Sequence, residues 1–208
     1  MNLSDYQKVQ NAHNYVQNNI LFGYNIDDNI EASNVLDDGI GQCNTKGTLL
    51  MAFLRALNIN CRVHGFYITK KLQYGAMTGL TYVLAPKKIF HSYVEVLIND
   101  KWYNLEGFIL DKEYLNAVQN KFKDKEGYFL GYGIGTTNFK NPIIDFNLND
   151  TYIQKEGIVE DLGIFNSMDD LLLKYHQKMS KLKKFLYQKI GRIKMNNNVN
   201  RLRCKYKN

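Results

Sequence analysis

Cys43 is the residue in this sequence best placed to act as a nucleophile. It follows the glycine turn Gly39-Ile40-Gly41-Gln42 and opens a run in which Leu49, Leu50, Phe53, Leu54 and Leu57 recur at helical spacing. Unpaired N–H groups and the helix dipole favour negative charge at a helix start, so a thiol there is biased toward thiolate. A thiolate that attacks an acyl carbon also needs a general acid for the leaving group and something to orient that acid.

Strand arithmetic offers both. His91 to Ile98 and Lys101 to Glu106 read as two strands joined at Asn99-Asp100. With a two-residue turn Ile98 faces Lys101, so Tyr93 falls opposite Glu106 and His91 becomes its same-face diagonal neighbour. The other face collects Val94, Val96, Ile98, Tyr103 and Leu105, a surface suited to packing. A three-residue turn would break this parity. For the oxyanion, the Cys43 backbone N–H is the first donor expected, and the Gln42 amide a weaker second.

The elements that must position these residues are legible in outline. Ser4 and Asp5 can cap a helix over residues 4–19, with Tyr6, Val9, Ala12, Tyr15 and Val16 on one face. A helical turn is expected around Ala32 to Leu36, and a strand over Cys61 to Thr69. Residues 70–90 read as an inserted loop or hairpin, and residues 127–142, rich in Gly, Tyr and Asn, as irregular chain. The run Gly131-Tyr132-Gly133-Ile134-Gly135 lacks the Lys-Ser/Thr ending of a phosphate loop and reads as a flexible loop near the cleft. Residues 168–194 read as one long basic helix with Met179, Leu182, Phe185, Leu186, Ile190 and Ile193 along one side.

Tyr15-Val16-Gln17-Asn18-Asn19-Ile20, Gly41-Gln42-Cys43, Leu54-Arg55-Ala56-Leu57-Asn58-Ile59, Arg62-Val63, His91-Ser92-Tyr93-Val94-Glu95-Val96 and Trp102 occur in this order. As a set they resemble the transglutaminase-like core family of the papain-like cysteine proteinase superfamily, over roughly residues 5–110. The resemblance implies an α+β fold, with a nucleophile-bearing helix packed on an antiparallel sheet. It also implies a triad of Cys43, His91 and Glu106. Two positions depart from the family: Glu106-Gly107 stands where Asp-Pro is usual, and Asn44 replaces the tryptophan that often follows the nucleophile in true transglutaminases.

On this reading residues 1–110 form the catalytic core, and residues 111–208 a mostly helical extension packed against it. The activity expected is cysteine-dependent acyl chemistry on a protein or peptide amide, with hydrolysis favoured. The alternatives are transfer to an amine acceptor, or a binding module that keeps the fold without efficient catalysis.

Composition narrows the rest. Hydrophobic residues make up 45% of the 208, enough for a packed core, which excludes a disordered chain. Cys43, Cys61 and Cys204 are too few for a disulfide framework, and His13, His64, His91 and His176 are too scattered for a zinc site. No metal or cofactor is expected. Cys61 reads as a core residue, Trp102 as packing behind the triad, and the three other histidines as structural or solvent-facing. Without a basic leader, an h-region or a long apolar span, the expected setting is cytoplasmic. Residues 174–208 hold 12 of the 27 Lys and Arg and no acid, leaving 15 bases against 20 acids, a net of −5, elsewhere. The basic helix therefore has three readings: packing on the body, contact with an anionic membrane surface, or contact with nucleic acid.

Overall fold

The computed structural model describes residues 3–206. Helix α1 (Asp5–Asn19) begins at Ser4, whose hydroxyl accepts from Gln7 N while the Gln7 side chain bonds back, a capping box. Strand β1 (Leu21–Phe22) pairs in parallel with β2 (Ile40–Gly41), across the short helix α2 (Ala32–Asp38). Directly after β2 comes α3 (Cys43–Ala56). Strand β3 (Cys61–Thr69), a 3₁₀ turn (Lys70–Gln73) and α4 (Gly79–Leu84) lead into β4 (Lys88–Ile98) and β5 (Lys101–Leu105). The stretch expected as a loop or hairpin is thus a 3₁₀ turn, a short helix and the first residues of β4.

Beyond residue 110 the chain forms α5 (Lys112–Lys121), β6 (Phe129–Gly131), β7 (Ile134–Thr136), β8 (Ile158–Phe165), α6 (Met168–Lys174), α7 (Lys181–Leu186), a π-helical stretch (Tyr187–Gly191) and α8 (Arg192–Lys205). The main sheet runs β5-β4-β3-β8 and is antiparallel throughout. Its fourth strand therefore comes from the second half of the chain. The fold is α+β.

The β4–β5 register is the expected one: Ile98 pairs with Lys101 and Val94 with Leu105. Asn99 and Asp100 adopt φ of 49° and 60°, the positive values a two-residue hairpin turn demands. Val94, Val96 and Leu105 are fully buried. Helix α3 covers this face, with Gly47 seated over Val94 and Phe108. Burying each such side chain contributes about 1.5–3 kcal/mol.

Two expectations fail. Gly131 to Gly135 is not a loop but the centre of the β6–β7 hairpin, which turns on Tyr132 and Gly133 at φ of 56° and 75°. The single basic helix is broken. Residues 175–180 are non-helical, and α7 restarts at Ser180, whose side chain accepts from Lys183 N. Within the break Gln177 lies on β4, accepting from Phe90 N at 2.8 Å and donating to the Lys88 carbonyl at 3.4 Å. Nor does the expected apolar stripe pack on the body. Leu182 is 68% exposed and Phe185 55%, whereas α8 is anchored through Met195, Val199 and Leu202.

A buried ion pair completes that anchor. Arg203 donates to Asp111 (2.6 Å) and to the Phe22 carbonyl (2.7 Å), while Asp111 also caps α5 by accepting from Tyr114 N. No helix among the described residues is long and apolar enough to cross a membrane.

Candidate active site

Cys43 occupies the first position of α3, where backbone N–H groups lack intrahelical acceptors. The first backbone bond of the helix runs from Lys46 N to the Gln42 carbonyl, leaving the Cys43 N–H ahead of it. Gly41 makes the tight entry possible, because a Cβ there would collide with the Lys46 side chain. Thr45 locks the turn, its hydroxyl accepting from Gln42 N (3.0 Å) and donating to Asn25 Oδ1 (2.7 Å).

One bond staples this helix start to the sheet. Ser92 Oγ donates to Asn44 Oδ1 at 2.8 Å, joining the residue after Cys43 to the residue after His91. The small amide at 44 thus has a positioning role.

His91 is fully buried. Its Nε2 lies 2.9 Å from Glu106 Oε1. Nδ1 makes no well-formed hydrogen bond among the described residues. The Cys43 sulfur is nonetheless near enough to act on the ring by charge and hydrogen bonding. With Nε2 taken by Glu106, Nδ1 is the nitrogen left for the sulfur, an unaligned contact of the kind that tightens when substrate arrives. Burial alone would lower the imidazole pKa, but Cys43 and then Glu106 outweigh it and raise it to about 10.

The structure therefore brings the three sequence-derived residues together, and it adds a clamp that sequence reasoning missed. Glu106 Oε2 accepts from Ile153 N (2.8 Å) and Gln154 N (2.9 Å). Thr151 accepts from Glu106 N and from Gly107 N (3.0 Å) through its hydroxyl. Proline at 107 would lose that donor, and a Cβ there would strike the Ile144 carbonyl. Glycine is therefore required here. The clamp itself is braced by the β6–β7 hairpin through Gly135 N to the Ile153 carbonyl (2.7 Å) and Gln154 Nε2 to the Gly133 carbonyl (2.6 Å). Backbone amides carry no residue signature, so no motif could have announced this segment.

Gln42 holds its carboxamide between Asn25 N, from which it accepts at 2.9 Å, and Asp28, to which it donates at 3.1 Å. Burial pushes the Asp28 carboxyl up, against hydrogen bonds from Asn44 and Gln42. Tyr24 donates to Gln73 Oε1 at 2.7 Å. Cys43, Tyr24, Gln42 and Gln73 all line one cavity of about 950 Å³, whose other walls are largely apolar.

The remaining candidates take no part in the Cys43–His91–Glu106 cluster. Cys61 is half-buried, its thiol pKa pushed up by burial. Cys204 is exposed. His64 lies between Glu95 (3.0 Å) and Asp161 (2.9 Å), which raise its pKa against the effect of burial. His13 is buried against Phe108, and burial lowers its pKa to about 4. His176 is exposed on the non-helical linker at the cavity wall, not on a helix. Trp102 is half-buried beneath the Arg62 guanidinium, 3.8 Å from its ring centroid. Among the described residues no group of three or more His, Cys, Asp or Glu could hold a metal ion.

No curated protein matches this sequence. The model of the transglutaminase-like superfamily matches residues 2–107, which is 106 of the 208 residues and includes the helix start, the histidine strand and Glu106. The chain belongs to the transglutaminase-like superfamily.

Proposed function

We propose that the protein is a cysteine-dependent acyl enzyme that cleaves amide bonds in proteins or peptides. The observation that carries this reading is the sealed His91–Glu106 pair, 2.9 Å apart, beside a cysteine at a helix N-terminus. Cys43 gives its thiol proton to His91 and its sulfur attacks the carbonyl carbon, the carbonyl electron pair moving onto oxygen. The Cys43 backbone N–H faces that oxyanion, and Gln42 and Gln73 are the side-chain amides on the same wall that can join it. His91 gives its proton to the departing amine as the C–N bond breaks, leaving a thioester. Water, deprotonated by His91, then releases the acid and restores the thiol. Glu106 fixes the ring and stabilises its charged form throughout.

Residues 1–110 carry this chemistry, and residues from 111 onward supply the Glu106 clamp and much of the cavity wall. Labelling with iodoacetamide at neutral pH, read by peptide mass, tests the reading. Cys43 should react far faster than Cys61 or Cys204, and His91→Ala should remove that advantage. Equal reactivity of the three thiols would point to a non-catalytic module. A labelled primary amine added during amide turnover should stay unincorporated, since its incorporation would favour transfer over hydrolysis.

A further inference from the structure

β5 covers β4 only from Val94 to Ile98. From Lys88 to Tyr93 the side of β4 facing away from β3 has no strand neighbour among the described residues. On that open edge lies the Gln177 carboxamide, accepting from Phe90 N–H and donating to the Lys88 carbonyl. A carboxamide has the same acceptor and donor as a peptide unit, and these are the bonds an added strand would make. Phe90 immediately precedes His91.

Around this edge the 950 Å³ cavity is walled by Ile68, Met77, Leu84, Ile89, Leu172 and Ile190, with Cys43 in the same wall. That volume is near the upper end of the ~300–1,000 Å³ usual for bound small molecules. We infer that Gln177 holds the place of a substrate backbone: an extended peptide with alternating apolar side chains displaces it, adds to the open edge of β4, and lays its carbonyl at Cys43.

Two physical points favour a peptide over an aliphatic chain. Displacing Gln177 bares the part-buried Phe90 N–H and the Lys88 carbonyl, which a peptide backbone can pair again and an aliphatic chain cannot. The strand period of two also sends alternate side chains to the apolar wall while the others face outward. The inference builds on the reading of Cys43 as acyl acceptor, but binding can be measured without chemistry.

The test uses Cys43→Ala protein and a dansylated hexapeptide of alternating leucine and glutamine, followed by fluorescence anisotropy. Saturable binding is expected, and Gln177→Ala should tighten it several-fold by removing the internal competitor. Gln177→Glu, which keeps the size but loses the donor to Lys88, should tighten it less. N-methylation of alternate backbone amides should weaken binding roughly tenfold or more in one register and little in the other, the loss expected for main-chain hydrogen bonds. Unchanged or weaker binding in Gln177→Ala, or equal binding of both N-methyl registers, would overturn the inference. So would dansyl-undecanoate binding where the peptide does not. Iodoacetamide reactivity of Cys43 in the wild-type protein reports separately on the catalytic reading.

Discussion

The two sides of the cavity are built on opposite terms. On the nucleophile side each group is held by another: Glu106 by His91 and two backbone amides, α3 by Ser92, the helix entry by Thr45. On the opposite side α4 leaves Leu80, in the cavity wall, 70% exposed, and α7 leaves Leu182, on its face away from the cavity, 68% exposed. Among the described residues the polar ties of this roof are Lys184 to Asp27, Tyr187 OH to the Asn25 carbonyl, Gln188 to the Ile26 carbonyl, Lys70 to the Tyr82 carbonyl, and Gln177 to β4. A core that buries its apolar groups this well on one side does not lack packing capacity.

The comparison is sharpest in catalysis. Cys43→Ala should abolish amide turnover, and His91→Ala should lower kcat by about 10²–10⁴, the usual worth of a positioned acid–base. Leu182→Glu on the roof should leave turnover of a small amide within about twofold of wild type, as expected for a residue outside the acid–base machinery. Steady-state kinetics on all three variants would break the division if the roof variant fell with the others.

Stability should divide in the same way. Glu106→Ala strands the His91 ring and the Ile153 and Gln154 N–H groups in a fully buried site, a loss of about 3–5 kcal/mol by urea denaturation. Arg203→Ala should cost a similar ~3–5 kcal/mol, because Asp111 would remain buried and unpaired. A loss under about 1 kcal/mol in Glu106→Ala would mean that the clamp relaxes freely and that the nucleophile side is no better held than the roof.

The sequence was informative wherever a local rule fixed the geometry. The Gly39–Gly41 turn sets the start of α3, and the positive φ of Asn99 and Asp100 sets the hairpin register that aligns His91 with Glu106. It was silent where the fold depends on distant backbone. The 151–154 clamp acts largely through main-chain amides. β8 is an edge strand with Val159, Glu160 and Asp161 all exposed, so it shows no alternation. The helical period across residues 168–194 is real, but the chain is non-helical over residues 175–180, where Gln177 bonds to β4, a contact no local pattern encodes.

pH separates two buried bases whose effects run in opposite directions. The folded pKa of His91 is raised to about 10 from 6.5, so its stabilisation is complete below pH 6.5 and is lost as pH rises through about 10. Lys46, buried against the Gln17 and Ile109 carbonyls, is lowered by burial from 10.5 to about 7. The unfolded chain then holds a proton that the folded one lacks, so this contribution rises with pH between about 7 and 10.5. The stability difference between wild type and Lys46→Met should therefore move in favour of wild type from pH 7 to 10 in urea titrations. In kcat/KM profiles, Glu106→Gln should shift the alkaline limb to lower pH, because Glu106 helps to hold the His91 proton. An unmoved limb would remove Glu106 from the acid–base pair.

The smallest effect expected tests the roof directly. Leu182→Glu and Phe185→Glu replace side chains that are 68% and 55% exposed, so each should change stability by no more than about 0.5 kcal/mol. Both should also reduce binding of an apolar dye such as ANS, since the exposed patch is what the dye would occupy. If either substitution instead cost about 2 kcal/mol or more, the roof would be packed in solution against the body, and the two sides of the cavity would be held alike. A neutral change in stability with loss of dye binding leaves the asymmetry standing: a firmly held nucleophile on one side, and on the other a helix whose outer apolar side chains the described residues leave exposed.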